Sequence, residues 1–260
     1  DRPQITAAIG GIDNALWDIK GKAANMPVFR LLGGEASMIP VYATGGYLKK
    51  GAPITACAGE LKAFIDEGFT AVKLKVGHHT MEEEVERVSA TRDAIGHAML
   101  MLDMNACYDL DECIRFAKAV EPFNLTWLEE PLHWYLQPAD FAKLSEATSI
   151  PLAHGERLYD RFAARDFIEN GGIKFIQMDS TRHSGITEHV RVAHMAEQNG
   201  ICIAPHLAPE MHGHLVSAFP RAGFIAESHG DPDRNPLWHG GLFAKKAEIR
   251  DGYLHLNESA

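Results

Sequence analysis

Residues 70–105, TAVKLKVGHHTMEEEVERVSATRDAIGHAMLMLDMN, contain the pattern that decides the fold. The two ends of this stretch, TAVKLKV (70–76) and MLMLDMN (99–105), are short apolar runs of the kind found in buried strands. Residues 82–95 between them have apolar side chains at helical spacing. A strand, a helix and a second strand in this order are typical of a crossover unit whose two strands run parallel.

Similar apolar runs recur on both sides of this unit, again separated by helical patterns such as residues 111–120 and 186–198. These further runs are VYA (41–43), LTWLEE (125–130), PLAHGE (151–156), KFIQMD (174–179), ICIAPH (201–206) and FIAE (224–227). Eight strands alternating with helices predict a parallel sheet closed into a barrel, an α/β fold of the TIM type. An open doubly wound sheet is disfavoured because no glycine-rich phosphate loop follows the first strand.

The residues before the first strand form helical patterns at 5–24 and 28–32, and glycines at 33 and 34 end the second one. We therefore expect two parts, with residues 1–38 as linking helices and residues 39–260 as the barrel.

Composition limits the partners and the location of the protein. A formal net charge of -10 over 260 residues argues against nucleic-acid binding, which needs a basic surface. The four cysteines form no metal-binding spacing and are expected to be free thiols in a reducing cytoplasm. No apolar run reaches the roughly 18 residues of a membrane span, so no membrane partner is expected.

Polar residues stand at the ends of seven consecutive predicted strands. Because barrel enzymes place their chemistry at the carboxyl ends of the strands, these residues are expected to meet at one rim. In the run 70–76 the apolar residues alternate with Lys73 and Lys75, so both lysines should face the inside of the barrel. The full set is Lys73, Lys75, Asp103, Asn105, Glu129, Glu156, Asp179, His206 and Glu227.

Each of these motifs has an ordinary structural interpretation when it is taken alone. A Lys-x-Lys pair is usually a solvated strand edge, the pair Glu129-Glu130 is usually a charged loop, and a single histidine is usually structural. Their occurrence in one register is what favours an active site.

Three of the rim residues, Asp103, Glu129 and Glu156, are carboxylates on adjacent strands. Hard oxygen ligands suit Mg²⁺ or Mn²⁺ better than zinc, so they are candidate metal ligands. The alternative for Glu129 is a simple pairing with a lysine.

Two candidate bases lie on opposite sides of the rim. Lys75 belongs to the second strand, and Lys73 beside it is expected to lower its pKa. His206 follows the seventh strand, and Asp179 on the neighbouring strand is expected to orient its imidazole. Such a site suits removal of the proton next to a carboxylate, with a metal and a protonated Glu227 stabilising the enediolate.

The motifs AVKLKVG, LDMN, WLEEP, AHGER, IQMD and APH, in this order, closely resemble the mandelate racemase subgroup of the enolase superfamily. The opening GIDNALWDIKGKAANMPVFRLLGG resembles the segment that precedes the barrel in that family. The resemblance implies a (β/α)₇β barrel preceded by the tail end of an α+β capping domain, and it implies self-association into a homo-oligomer.

The resemblance also implies roles for the rim residues. It implies Mg²⁺ on the three carboxylates, Lys75 as one base with Lys73 beside it, and the His206–Asp179 pair as the other base. Glu227 is implied as the acid that hydrogen-bonds the enediolate. Lys73 and Asn105 are expected to contact the substrate.

Four functions are open at this point. Dehydration of an aldonic or aldaric acid to a 2-keto-3-deoxy acid is favoured, because members with this Lys/His arrangement mostly resemble acid-sugar dehydratases. Racemisation or epimerisation of a 2-hydroxy acid uses the same bases. A zinc amidohydrolase is suggested by the pair His212-x-His214, although that pair does not follow the first strand. A non-catalytic binding protein has no need of both Lys75 and His206.

Overall fold

The computed structural model describes residues 2–47, 51–229 and 248–259. Within these ranges the helices are α1 (Arg2–Ala24), α2 (Val28–Leu31), α3 (Ala56–Asp66), α4 (Met81–Ile95), α5 (Leu110–Val120), α6 (Pro138–Ala147), α7 (Arg161–Asn170), α8 (Gly185–Asn199) and α9 (Pro209–Ala218). The strands are β1 (Met38–Gly45), β2 (Ala71–Lys75), β3 (Met99–Asp103), β4 (Trp127–Glu129), β5 (Leu152–His154), β6 (Phe175–Ile176), β7 (Cys202–Ile203), β8 (Ala226–Ser228), β9 (Glu248–Arg250) and β10 (Tyr253–His255).

Among the described residues, the first eight strands form a closed parallel barrel with one α-helix in each of the seven crossovers. Strands β1 to β7 pair in chain order, and β8 pairs parallel with β1. A parallel bridge between Ile203 and Gly223 joins β7 to the segment that leads into β8. The predicted (β/α)₇β barrel is therefore confirmed. Strands β9 and β10 form an antiparallel pair attached to the beginning of β1.

The barrel strands have one face toward the helices and one toward the barrel interior. Val72 and Leu74 pack in the large apolar core between the sheet and the helices. Lys73 lies on the opposite face and is fully buried, as the alternation in the sequence predicted. A separate apolar cluster fills the barrel interior and consists of Tyr42, Ala71, Met101, Trp127, Ala153, Phe175, Ala204 and Ile225. The polar side chains therefore lie beyond this apolar cluster, at the mouth of the barrel.

Helix α1 packs against the beginning of α8 through polar contacts. The side chain of Asp13 accepts hydrogen bonds from Thr187 N at 2.8 Å and from its Oγ1 at 2.6 Å. Asn14 donates to Ser180 O and accepts from Ile186 N. These side chains satisfy N–H groups in the first turn of α8, which have no partner within that helix. The apolar residues of α1 that gave the helical pattern, including Ile12 at 65% exposure, lie on the opposite, exposed side.

All four cysteines are free thiols, as predicted. Across the described ranges, every helix is too short or too polar to cross a membrane.

His214 in α9 connects the barrel to the segment before it and provides a pH-dependent contribution to stability. Its Nδ1 accepts a hydrogen bond from Phe29 N at 3.2 Å, so this nitrogen must be unprotonated. Burial lowers the pKa of His214 to about 4, whereas an unfolded histidine titrates near about 6.5. Between these two pH values only the unfolded chain binds the proton, so folding stability falls as the pH falls.

We expect His214 to make the free energy of unfolding fall by up to about 1.4 kcal/mol per pH unit between about pH 6.5 and 4. The measurement is urea unfolding of the wild type and of His214→Phe, which keeps a ring but cannot titrate. The wild type should lose stability more steeply over this interval. Equal slopes for the two proteins would contradict the assignment.

Candidate active site

The predicted rim residues lie together at the carboxyl ends of the barrel strands. In the strand register Lys75 pairs with Asp103, and Asp103 pairs with Glu129, so β2, β3 and β4 end at the same level. Glu156 and His206 lie in the loops that follow β5 and β7. All five side chains are buried. The fold thus brings distant parts of the sequence to one site.

Asp103, Glu129 and Glu156 form a group of carboxylates with ligand oxygens within 4.8 Å of one another. Burial alone would raise the pKa of Asp103, but Lys75 and Lys73 lower it to about 2. Burial and the neighbouring Asp103 raise the pKa of Glu129 to about 8, and burial raises the pKa of Glu156. Three buried oxygen ligands so close together are costly alone and suit a hard divalent cation.

Lys73 is enclosed by carboxylates inside the barrel. Its Nζ lies 2.6 Å from Glu129 Oε1, 2.8 Å from Glu227 Oε1 and 3.6 Å from Asp103 Oδ2. Burial would lower the pKa of Lys73, but Glu129 and Glu227 raise it well above its ordinary value. The alternative pairing of Glu129 with a lysine is therefore present, in addition to its place in the carboxylate group. The predicted contact of Lys73 with substrate stays a prediction.

Lys75 contacts the carboxylate of Asp103 and donates a hydrogen bond to Asn105 Oδ1 at 3.2 Å. We predicted that Lys73 would lower the pKa of Lys75, and the net direction is the opposite. Burial and Lys73 lower this pKa, but Asp103, with smaller contributions from Tyr47 and Glu129, raises it by more than they lower it. Asn105 has a left-handed backbone with φ of 44°, which allows its N–H to donate to Asp103 Oδ1 at 2.9 Å. Its substrate contact also stays a prediction.

His206 and Asp179 form the pair that the sequence predicted. His206 Nδ1 lies 2.9 Å from Asp179 Oδ2, and Thr181 donates two hydrogen bonds to the other oxygen of Asp179. The opposite ring nitrogen, Nε2, lies 3.3 Å from Glu156 Oε2. Burial would lower the pKa of His206, but Glu156 and Asp179 raise it to about 9. Lys75 and His206 thus contact different members of the carboxylate group, from opposite sides of the barrel.

Glu227 is an acceptor of hydrogen bonds in this structure. Its carboxylate accepts from Thr44 Oγ1 at 2.6 Å and from Leu207 N at 2.9 Å, and it lies 3.1 Å from His229 Nε2. Burial would raise the pKa of Glu227, but Lys73 and His229 hold it well below its ordinary value. Glu227 is therefore ionised in this structure, and its expected role as an acid that donates a hydrogen bond to the enediolate stays a prediction.

Some residues of the site were missed by the sequence analysis. Gln177 and Trp127 both donate to Glu129 Oε2, at 2.7 Å and 3.0 Å. Gln177 stands two positions before Asp179, so strand alternation was a usable signal for it. Arg157 had no such signal, because its approach to Glu156 at 3.5 Å depends on loop geometry.

The loop after β2 is held in place by a buried ion pair. Glu84 Oε1 accepts hydrogen bonds from the backbone N–H groups of residues 77–79, and Glu84 Oε2 contacts Arg87 at 2.6 Å. Arg87 in turn donates to Gly46 O at 2.7 Å in the loop after β1. Gly77 fits this loop because its φ is 97° and an added Cβ would lie 2.1 Å from Cys107 Sγ.

We expect Gly77→Ala to lower the free energy of unfolding by roughly 1–3 kcal/mol, because the backbone and the contact with Cys107 are both strained. The control is Gly59→Ala in α3, where an added Cβ meets nothing within 4 Å of the described chain. That change should raise stability by up to about 1 kcal/mol. Urea unfolding measures both; equal effects would contradict the prediction.

Comparison with known proteins agrees with this geometry. Residues 56–260 match the family model described as Enolase C-terminal domain-like. Residues 3–33 match the mandelate racemase / muconate lactonizing enzyme N-terminal domain. The chain belongs to the enolase superfamily. The predicted resemblance is confirmed, whereas the division of the chain at residues 38 and 39 stays a prediction.

Relatives of this enolase-superfamily chain include named sugar-acid enzymes. It is 33% identical to L-talarate/galactarate dehydratase of Salmonella typhimurium over 96% of the chain, and spans 61% of that enzyme's length. The L-talarate dehydratase of Polaromonas sp. JS666, solved with Mg and L-glucarate, is 35% identical with a TM-score of 0.88, over 98% of this chain and 69% of that one. A mandelate racemase/muconate lactonizing enzyme from a marine actinobacterium, solved with magnesium, is 28% identical with a TM-score of 0.90. The match covers 100% of this chain and 71% of that one.

The histidine pair that suggested a zinc hydrolase is not a metal site in this enolase-superfamily barrel. His212 contacts Ser180 and the carbonyl of Leu207, whereas His214 contacts Phe29. Among the residues that the structure describes, the carboxylate group at the barrel mouth is the one set placed to hold a metal ion.

Proposed function

We propose that this chain carries the active site of a magnesium-dependent enzyme that removes the proton next to the carboxylate of a sugar acid and then eliminates water. The observation that carries the proposal is a group of three carboxylates contacted by Lys75 on one side and by the His206–Asp179 pair on the other. The names of the relatives, L-talarate/galactarate dehydratase among them, support this class of reaction.

Asp103, Glu129 and Glu156 are the residues that would hold Mg²⁺. The fit rests on the ligand chemistry, since all three offer carboxylate oxygens and lie close enough to share one small cation. When bound, the ion would supply positive charge that stabilises the enediolate oxygens and competes with Lys75 for Asp103.

The two bases have complementary tasks in this proposal. Because its pKa is raised, Lys75 must first lose its own proton to solvent. As the neutral amine it then accepts the proton from the carbon next to the substrate carboxylate, which leaves an enediolate. His206 as imidazolium gives its proton to the hydroxyl on the next carbon, which departs as water. Asp179 holds the imidazole in orientation and favours its charged form. The resulting enol converts to a 2-keto-3-deoxy acid, so the substrates are aldonic or aldaric acids with a hydroxyl at that carbon.

The same pair of bases also suits racemisation or epimerisation. If no group leaves, the base on the opposite face returns a proton to the carbon and inverts it. Lys75 and His206 contact the carboxylate group on different sides, and this arrangement suits inversion of the carbon as well as it suits dehydration.

The test is to incubate the full chain with Mg²⁺ in D₂O against a panel of aldonic and aldaric acids, with products read by mass spectrometry. Loss of water with formation of a keto acid would support the proposal. Deuterium gain without loss of water would assign a racemase or epimerase. Metal and acid binding without either change would indicate a binding protein. Asp103→Asn, which keeps the shape of the side chain but not its charge, is the control and should be inactive.

A further inference from the structure

His212 in α9 is a fully buried histidine that belongs to neither the carboxylate group nor the His206–Asp179 pair. Its Nδ1 lies 2.7 Å from Leu207 O. Its Nε2 lies 3.1 Å from Ser180 N and 2.7 Å from Ser180 Oγ. Ser180 directly follows Asp179 in the chain, and Leu207 directly follows His206. One imidazole therefore joins the two loops that carry the catalytic pair.

The two backbone contacts of His212 determine its protonation. A carbonyl only accepts a hydrogen bond, so Nδ1 must carry the proton that it donates to Leu207 O. The Ser180 N–H only donates, so Nε2 must be unprotonated. The ring is thus neutral with the proton on Nδ1. Burial lowers the pKa of His212, in agreement with this assignment.

The backbone after His206 needs such support because it is strained. Leu207 and Ala208 have φ values of 58° and 42°, in the left-handed region that side chains other than glycine rarely adopt. Strain of this kind costs on the order of 1–3 kcal/mol per residue and persists only where the surroundings hold it. Leu207 is held at both of its peptide groups, since its N–H donates to Glu227 Oε2 and its carbonyl accepts from His212.

We propose that His212 is a positioning residue that fixes the relative placement of Asp179 and His206 through Ser180 and Leu207. It acts through the two backbone segments, because its Nε2 lies 3.7 Å from Asp179 Oδ1 and its side chain is fully buried. The effect on turnover rests on the proposed function, whereas the effect on the Asp179–His206 hydrogen bond does not.

His214, two residues later in the same helix, provides the matched control. It is largely enclosed and also holds a backbone group, but that group is Phe29 N, in the segment before the barrel. Loss of His214 should therefore cost stability without moving the catalytic pair.

The test uses the full chain with His212→Asn and His212→Gln. The Asn amide can replace the donor to Leu207, and the Gln carbonyl can replace the acceptor for Ser180, so each variant keeps one of the two contacts. The readout is the proton NMR signal of the His206 Nδ1–H bonded to Asp179, assigned by its loss in His206→Asn. Both variants should shift or broaden this signal and lower kcat by about 10- to 100-fold. KM and Mg²⁺ affinity should be unchanged.

The possible outcomes separate the two proposals. If His206 keeps its wild-type signal in both His212 variants, or if His214→Asn moves the signal as much as they do, the positioning role is wrong. If the wild type turns over no sugar acid, the proposed function fails, but the NMR signal still decides the role of His212.

Discussion

Lys75→Ala is expected to lower kcat by about 10²- to 10⁴-fold, the usual contribution of a positioned general base. Lys75 Nζ contacts Asp103 and Asn105 at one side of the carboxylate group, so its loss removes the proton acceptor that we propose for that side. The alanine variant should therefore stop exchange of the substrate α-proton from the face of Lys75. Stereospecific deuterium incorporation in D₂O, followed by proton NMR, measures this directly.

The complementary variant is His206→Asn, which should abolish water loss but leave proton exchange at the Lys75 face. The side-chain amide of the introduced Asn can take the place of His206 Nδ1 and still donate a hydrogen bond to Asp179. An exposed lysine change, Lys62→Ala, controls for the loss of a positive charge. If Lys75→Ala and His206→Asn lost exchange at the same face, the arrangement of two opposed bases would be wrong.

The arrangement of the rim was predictable because two simple periodicities determine it. Alternation along residues 70–76 placed Lys73 and Lys75 inside the barrel, and the repeated strand–helix unit placed Asp103 and Glu129 beside them. These features depend on local sequence. Most of the strands are shorter than the apolar runs suggested, whereas β1 covers Met38–Gly45 and is longer than the run 41–43. For example, β6 covers only Phe175–Ile176 of the run 174–179. Gln177 and Asp179, later in that run, contact Glu129 and His206 in the site.

The protonation states could not be predicted from sequence, because they depend on distances between loops. The pKa of Lys75 is set by Asp103 more than by Lys73, and the ionised state of Glu227 depends on Lys73 and His229. The role of His212 was likewise hidden, since it contacts Ser180 across 32 positions of the chain. The spacing of motifs along the sequence predicts which residues lie close together, but it does not predict which charged neighbour has the largest effect on each pKa.

The charged side chains at the barrel mouth are in contact with one another, and Lys73 lies among three of the carboxylates. It is fully buried, and its ammonium contacts Glu129 and Glu227 while Asp103 lies 3.6 Å away. Removal of one partner from a buried ion pair leaves the opposite charge without compensation, which is more costly than loss of an exposed pair. Stability and charge balance at the site therefore depend on the same residue.

Lys73→Met, which keeps the length of the side chain but removes its charge, is expected to lower the free energy of unfolding by about 3–5 kcal/mol. Urea unfolding followed by circular dichroism in the presence of EDTA measures this change. The second substitution Glu227→Gln should restore part of the loss, because it removes one of the carboxylates left without a partner. Lys62→Met, which disrupts the exposed pair of Lys62 and Asp66, is the matched control and should have little effect. If Lys73→Met were no more destabilising than Lys62→Met, Lys73 would not be the charge that holds the barrel mouth together.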